Sequence, residues 1–159
     1  MIAFLYSLSA LLYGLRIFTF VFGAARERSK FITETSSETP FISVIVPARN
    51  EESNIKACVE SLSKSNYPID KYEIIVVNDR STDSTSKVLD LIQPLYSNLK
   101  TVTLTEARTS KNLQGKPGAL QAGIDNSKGE ITLFTDADCT VDTLWIATMA
   151  RQFSNANVG

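Results

Sequence analysis

Three short runs in this 159-residue chain gather side chains able to do chemistry. Asp136-Ala137-Asp138-Cys139 follows an apolar run and sets two carboxylates at i and i+2. Such a pair repels itself unless something neutralises it. A hard divalent cation, Mg²⁺ or Mn²⁺, does so through oxygen ligands, with substrate phosphates completing its shell. The alternative is a solvated loop in which Asp142 caps the next helix. Asn78-Asp79-Arg80-Ser81-Thr82-Asp83 follows a second apolar run. Asp79 there suits a hydrogen bond from a base edge or a ribose, and Asp79, Ser81 or Thr82 equally suits a helix cap. Pro47-Ala48-Arg49-Asn50-Glu51-Glu52 follows a third, with Asn50 or Ser53 as a further cap candidate. Gly115-Lys116-Pro117-Gly118 brings either backbone amides and one ammonium toward a phosphate or only a solvated turn. Its spacing is neither that of a P-loop nor that of a dinucleotide-binding turn.

Composition narrows the chemistry further. There is no His, and the two cysteines are Cys58 and Cys139. Ser–His or Cys–His nucleophilic catalysis is therefore impossible within the chain. A Cys/His zinc site or a disulfide scaffold is a poor fit. Sixteen Lys and Arg against 17 Asp and Glu give a formal net charge of −1. A nucleic-acid partner would call for a basic excess, so none is expected. Chemistry must rest on carboxylates, hydroxyls, backbone amides, Lys and Arg.

The elements that position these clusters read as alternating strand and helix. Phe41–Pro47, Tyr72–Asn78, Lys100–Thr105 and Glu130–Thr135 are strand-length runs bounded by polar or turn residues. Near-continuous apolar runs suit strands buried on both faces of a parallel sheet. Glu51–Ser63, Thr82–Tyr96 and Pro117–Ser127 read as helices, with Pro94 kinking or ending the second. Val88, Leu89, Ile92 and Leu95 share a face of that helix, and Trp145, Met149 and Phe153 share a face of a last one. The order β-α-β-α-β-α-β-α predicts right-handed crossovers and a mostly parallel α/β sheet. In such sheets ligands bind outside the carboxyl ends of the strands, where all three clusters fall.

Residues 1–25 read differently. They carry Arg16 as their only charge, and Arg26, Arg28 and Lys30 follow. A helix of that length reaches across a ~30 Å hydrocarbon core. The basic cluster predicts a cytoplasmic carboxyl side, as at a bacterial inner membrane. Arg16 would cost roughly 2.5–3.5 kcal/mol at mid-bilayer. A signal peptide lacks its basic n-region here, and a buried core helix is the other rival. The expected organisation is a transmembrane anchor over 1–25, a polar linker over 26–40 and an α/β domain over 41–159.

The runs SVIVPARNEE (Ser43–Glu52), YEIIVVNDRSTDST (Tyr72–Thr85), GKPGALQAGI (Gly115–Ile124) and GEITLFTDADC (Gly129–Cys139) occur in that order. Together they resemble the nucleotide-sugar-binding half of family-2 glycosyltransferases, an inverting group on the Rossmann-like GT-A fold. The resemblance covers roughly residues 41–159. It implies that Pro47, Ala48, Asn50 and Glu51 contact the uridine, that Asp79 contacts the base, and that Lys116 is the helix-opening lysine. It makes Asp136 and Asp138 the Asp-x-Asp motif, with Asp136 toward the nucleotide and Asp138 the direct ligand of Mg²⁺ or Mn²⁺. The implied donor is a nucleotide-diphosphate sugar, UDP-linked, and the acceptor is not readable. The family's base for the acceptor hydroxyl, a further carboxylate, is expected beyond Gly159, so the catalytic base is absent from these residues. By that reading the chain is the amino-terminal, donor-binding part of a longer enzyme.

Three other readings compete. LFTDADCT also resembles the Asp-x-Asp-x-Thr of haloacid-dehalogenase-type phosphatases, but that motif normally sits on a first strand, and here it follows the fourth. A nucleotidyltransferase would carry a Gly-rich loop after strand one, and Pro47–Glu52 has no Gly. A non-catalytic, membrane-anchored nucleotide-sugar binder is the reading from a different class.

Overall fold

The computed structural model describes residues 12–19, 39–105 and 115–153. The chain divides into two units, residues 1–37 and residues 38–159. In the first, residues 12–19 form helix α1. The rest of the expected 1–25 span lies outside the described residues, as does the linker up to residue 38. Among the described residues no helix is long and apolar enough to cross a membrane, so the expected transmembrane helix is not shown.

The second unit contains β1 (Ile42–Ala48), α2 (Ile55–Ser63), β2 (Tyr72–Asp79), α3 (Thr85–Ile92), β3 (Leu99–Leu104), α4 (Lys116–Asp125), β4 (Ile131–Phe134) and α5 (Trp145–Gln152). The four strands form one sheet in the order β3-β2-β1-β4. Every pairing is parallel, with Ile42 opposite Tyr72 and Ile131, and Ile74 opposite Leu99. From β1 to β3 the chain steps in one direction across the sheet, and from β3 to β4 it steps back over β2 and β1. Right-handed crossovers then put the returning helix on the opposite face. The core follows that division. Ile42, Val44, Val46, Ile74 and Val76 pack with buried residues of α2, α3 and α5. Ile45, Ile75 and Val77 pack with Ala119 of α4 on the other side. Gly123 lets α4 come so close that an added Cβ would meet Ile45 Cγ2 at 2.4 Å. The reversal of strand order between β1 and β4 creates a switch point, where ligand crevices form.

The strands appear within one or two residues of their expected places, but two helices start later. Neither Glu51 nor Thr82 is helical, and α2 and α3 begin at Ile55 and Thr85. Asn50 and Ser53 do not cap α2, whose N-cap is Asn54. Ser84 stands at the N-cap of α3, where the expected caps were Asp79, Ser81 or Thr82. Asp142 does meet its expectation in part, since its carboxylate accepts from the Leu144 amide at 2.8 Å, just before α5.

Pro94 ends α3 as expected. The chain tightens into a 3-10 turn over Gln93–Leu95, and Leu95 leaves the shared face, 69% exposed. On α5 the face that Trp145, Met149 and Phe153 share is not the one buried. Ile146 and Ala150 are buried with Trp145 packed beside them, while Met149 and Phe153 are exposed. Both stripes have a four-residue spacing and lie about 100° apart on the helix, so periodicity alone does not choose between them.

The end of the sheet away from the crevice is tied by Ser43. Its hydroxyl donates to Glu73 Oε1 at 2.7 Å and accepts from the Gly129 amide at 2.8 Å. A Cβ on Gly129 would fall 2.4 Å from Ser43 N and 2.7 Å from Ile131 O, both backbone atoms. Gly129→Ala is therefore expected to destabilise the domain by about 1–3 kcal/mol, the usual cost of overpacking. Leu91→Ala, at a 74% exposed position, should stay within about 0.5 kcal/mol of wild type. Urea unfolding of both variants checks this, and equal midpoints would contradict the packing described.

Candidate functional site

The loops after β1 and β2 brace each other. Asn50 adopts φ 58° and Arg80 φ 53°, both left-handed. These turns free the backbone to face the neighbouring loop. The Asn50 amide donates to Ser81 Oγ at 3.0 Å, Glu51 N to Thr85 Oγ1 at 2.8 Å, and Glu52 N to Asp83 Oδ2 at 3.2 Å. The return contacts run from Thr82 N to Asn50 Oδ1 at 2.8 Å and from Ser84 N to Glu52 Oε2 at 2.7 Å. Partial desolvation pushes the Asp83 carboxyl up. Hydrogen bonds from Thr85 and Glu52 outweigh it and hold the group below its ordinary value of 3.8.

Asp79 ends β2 only 3% exposed. Arg80 supplies its countercharge, with Nε at 2.8 Å and Nη2 at 2.7 Å, both on Oδ1. A buried carboxylate without such a partner carries a large desolvation penalty. Opposite, Gly115 at φ 68° precedes α4, and Lys116 is the first helical residue with Pro117 behind it. Buried Gly118 and Ala119 seat that first turn. The Lys116 ammonium reaches across to Asp136 Oδ1 at 2.5 Å. Asp136 and Asp138 are both exposed, with Ala137 buried between them.

These parts close on one cleft of about 280 Å³. Pro47, Ala48, Glu51, Asp79, Lys116, Asp136 and Asp138, all singled out from sequence, line it. Asn50 does not, because its side chain turns to the loop after β2. Arg49, Gly115, Ala119 and Ala137 also line the cleft. Sequence reasoning passed over Arg49 although it lies inside a flagged run. The two alanines carry no signal, since their contribution is to be small beside the sheet.

The donor set can be tested for a cation. Among the described residues no group of three or more His, Cys, Asp or Glu could enclose a metal. Two exposed carboxylates in a cleft instead fit a hard cation that takes its remaining oxygens from phosphates and water. The thiols add nothing to such a set. Burial pushes the Cys58 thiol up to about 12, helped by nearby Cys139, Asp138 and Glu51, and it donates to the Asp136 carbonyl. Desolvation and Asp138 raise Cys139 as well.

Residues 43–159 match the family model described as Glycosyl transferase family 2. Glycosyltransferase AglE of Haloferax volcanii is 33% identical over 123 residues, covering 77% of this chain and 38% of the relative. A crystal structure of S. aureus TarS in complex with UDP-GlcNAc superposes with a TM-score of 0.60 at 30% identity, covering 74% of this chain and 32% of that one. The mannosyltransferase PcManGT from Pyrobaculum calidifontis, in complex with GDP-Man and Mn²⁺, gives a TM-score of 0.66 at 26% identity, covering 91% and 44%. The chain thus spans less than half the length of each.

Asn50 separates two roles of the brace. Asn50→Ala should cost about 1.5–3 kcal/mol, combining a left-handed Cβ with a lost acceptor. Asn50→Gly removes only the acceptor and should cost about 0.5–1.5 kcal/mol. Denaturant unfolding of the pair checks the order, and equal losses would mean that the left-handed turn carries no strain.

Proposed function

The chain belongs to glycosyl transferase family 2, and from that premise we propose that its cleft holds the nucleotide-diphosphate part of a sugar donor, UDP-linked, for an inverting glycosyl transfer. One observation carries the reading: Pro47, Ala48, Glu51, Asp79, Lys116, Asp136 and Asp138 line a single cleft at the carboxyl ends of β1, β2 and β4. Asp79, held by Arg80, presents a fixed acceptor to the cleft, suited to an N–H edge of the base. Pro47, Ala48 and Glu51 form the wall against which the uridine lies, and Asn50 holds that wall in place from outside the cleft. At the other end, Lys116 and the first turn of α4 offer positive charge to the diphosphate.

Asp136 lies toward the nucleotide and Asp138 is the direct ligand of Mg²⁺ or Mn²⁺. A divalent cation bound there supplies Lewis-acid neutralisation of the departing diphosphate. Lys116 adds to the same neutralisation from the opposite wall. The acceptor must also lose a proton as its oxygen attacks the anomeric carbon. The cleft carboxylates are engaged on the donor side, and no Asp or Glu follows Asp142. On this reading none of them is that base, which the family resemblance assigns to a further carboxylate. A positioned base contributes about 10²–10⁴-fold, so these residues alone should bind donor and transfer little.

The domain assignments 1–25, 26–40 and 41–159 belong to this proposal. The apolar stretch and the Arg26, Arg28 and Lys30 that follow it support a membrane anchor with the catalytic domain on the cytoplasmic side.

Titration calorimetry of the full chain should show UDP binding that tightens at least about tenfold with Mn²⁺, one unit of pK or 1.4 kcal/mol. Asp138→Ala should abolish that gain, while UDP release from UDP-sugars with added acceptors stays near background. Metal-independent affinity in wild type would remove Asp138 from the metal site. Robust acceptor-dependent turnover would place the base within the chain. In membranes expressing the chain, carbonate extraction should leave it in the pellet, and recovery in the supernatant would refute the anchor.

A further inference from the structure

Three ion pairs occur among the described residues, and they differ in what they join. Lys56–Glu60 lies within one helix and Arg80–Asp79 within one turn. Lys116–Asp136 joins α4 to the loop after β4, across the cleft itself. Its side chains are 59% and 53% exposed, so neither is held by packing. The backbone beneath Lys116 is held, because buried Gly118 and Ala119 seat α4 on the sheet. Only the flexible four-carbon arm is free to swing. Asp136 is attached next to buried Ala137, so its carboxylate also moves on a fixed base.

We infer that Lys116 and Asp136 form a counter-ion latch across the cleft, which diphosphate and divalent cation open together. This deepens the donor-site reading and rests on it. In the closed latch the ammonium neutralises a carboxylate whose charge would otherwise favour a cation at Asp138, and the carboxylate occupies the ammonium that the diphosphate needs. Each ligand alone must break the pair and leave one charge uncompensated. Bound together they accept both halves, Lys116 turning to the diphosphate and the Asp136 carboxylate facing the positive charge of a cation that Asp138 would hold. A ligand whose competent state is only partly populated binds more weakly by that fraction, and a second ligand that populates the state removes the penalty. The latch thereby makes nucleotide and cation bind as a coupled pair, and the coupling is reciprocal.

The test uses the full chain as wild type, Lys116→Gln, Asp136→Asn and the double variant, with circular dichroism confirming that each folds. Each is titrated with Mn²⁺ alone, with UDP alone in EDTA, and with UDP at saturating Mn²⁺. Lys116→Gln is expected to tighten Mn²⁺ alone, and Asp136→Asn to tighten UDP alone, each by about 2–5-fold, the range of an exposed ion pair. The gain in UDP affinity from Asp136→Asn should vanish in the Lys116→Gln background, because no ammonium remains to be freed. If that gain persists there, Asp136 acts only by repelling phosphate, and the latch is overturned. Weaker UDP binding by Asp136→Asn in EDTA, or weaker Mn²⁺ binding by Lys116→Gln, overturns it as well. If wild type binds no UDP with or without Mn²⁺, the donor-site reading itself fails, an outcome separate from all of these.

Discussion

Everything on the crevice side of this domain depends on how two neighbouring loops satisfy their own backbones. A parallel sheet ends each strand with amides that have lost their ladder partners, and a buried amide without a partner costs on the order of 1–3 kcal/mol. The loop after β1 resolves this by donating three consecutive amides, from Asn50, Glu51 and Glu52, to side chains after β2. The loop after β2 returns two amides to Asn50 and Glu52. The exchange makes one rigid wall from two segments thirty residues apart. Asn50 is suited to this place twice, since it tolerates a left-handed backbone and has an amide oxygen to give.

Charge within the cleft is distributed unevenly along its length. At the β2 end, Asp79 is buried and fixed by Arg80 in a charge-assisted pair. At the α4 and β4 end, Lys116, Asp136 and Asp138 are exposed on short loops and a helix start. On the donor-site reading, the rigid end recognises a planar base whose hydrogen-bonding edge does not change during reaction. The exposed end meets the diphosphate, whose charge grows as the bond to the sugar breaks. Electrostatic stabilisation is most effective where groups are aimed at the developing charge, and an end that first unlatches reaches that arrangement only with both ligands in place.

Much of this was legible in the sequence. The β-branched runs located the strands, and the sheet's parallel order followed from their alternation with helices. Strand-end chemistry was legible too, because Asp79, Lys116, Asp136 and Asp138 are charged residues next to apolar runs. What was not legible depends on partners remote in sequence. Asn50 stands in the same run as its cleft-lining neighbours Pro47, Ala48 and Glu51, and only the loop after β2 reveals that it braces rather than lines. The buried face of α5 was not legible because two stripes with the same period compete, and only burial in the shared core chooses between them. Leu95 was grouped with Ile92 by helical spacing, although Pro94 rotates it out.

The same distinction bears on which residues carry information about the ligand. Ala119 and Ala137 line the cleft as surely as the aspartates, yet composition gives them no weight. Their small size lets α4 and the loop after β4 approach β1, which sets the width of the cleft. Gly115 acts similarly through its φ of 68°, a backbone state that aims Lys116 across the gap and that other residues adopt at a cost. The charged groups therefore define what chemistry is possible, while the small ones define how far apart those charges stand. Lys116 spans the cleft to Asp136 only because Gly115 turns the chain and Ala119 brings α4 close. The ion pair that crosses the cleft is thus a consequence of the residues that carry no charge.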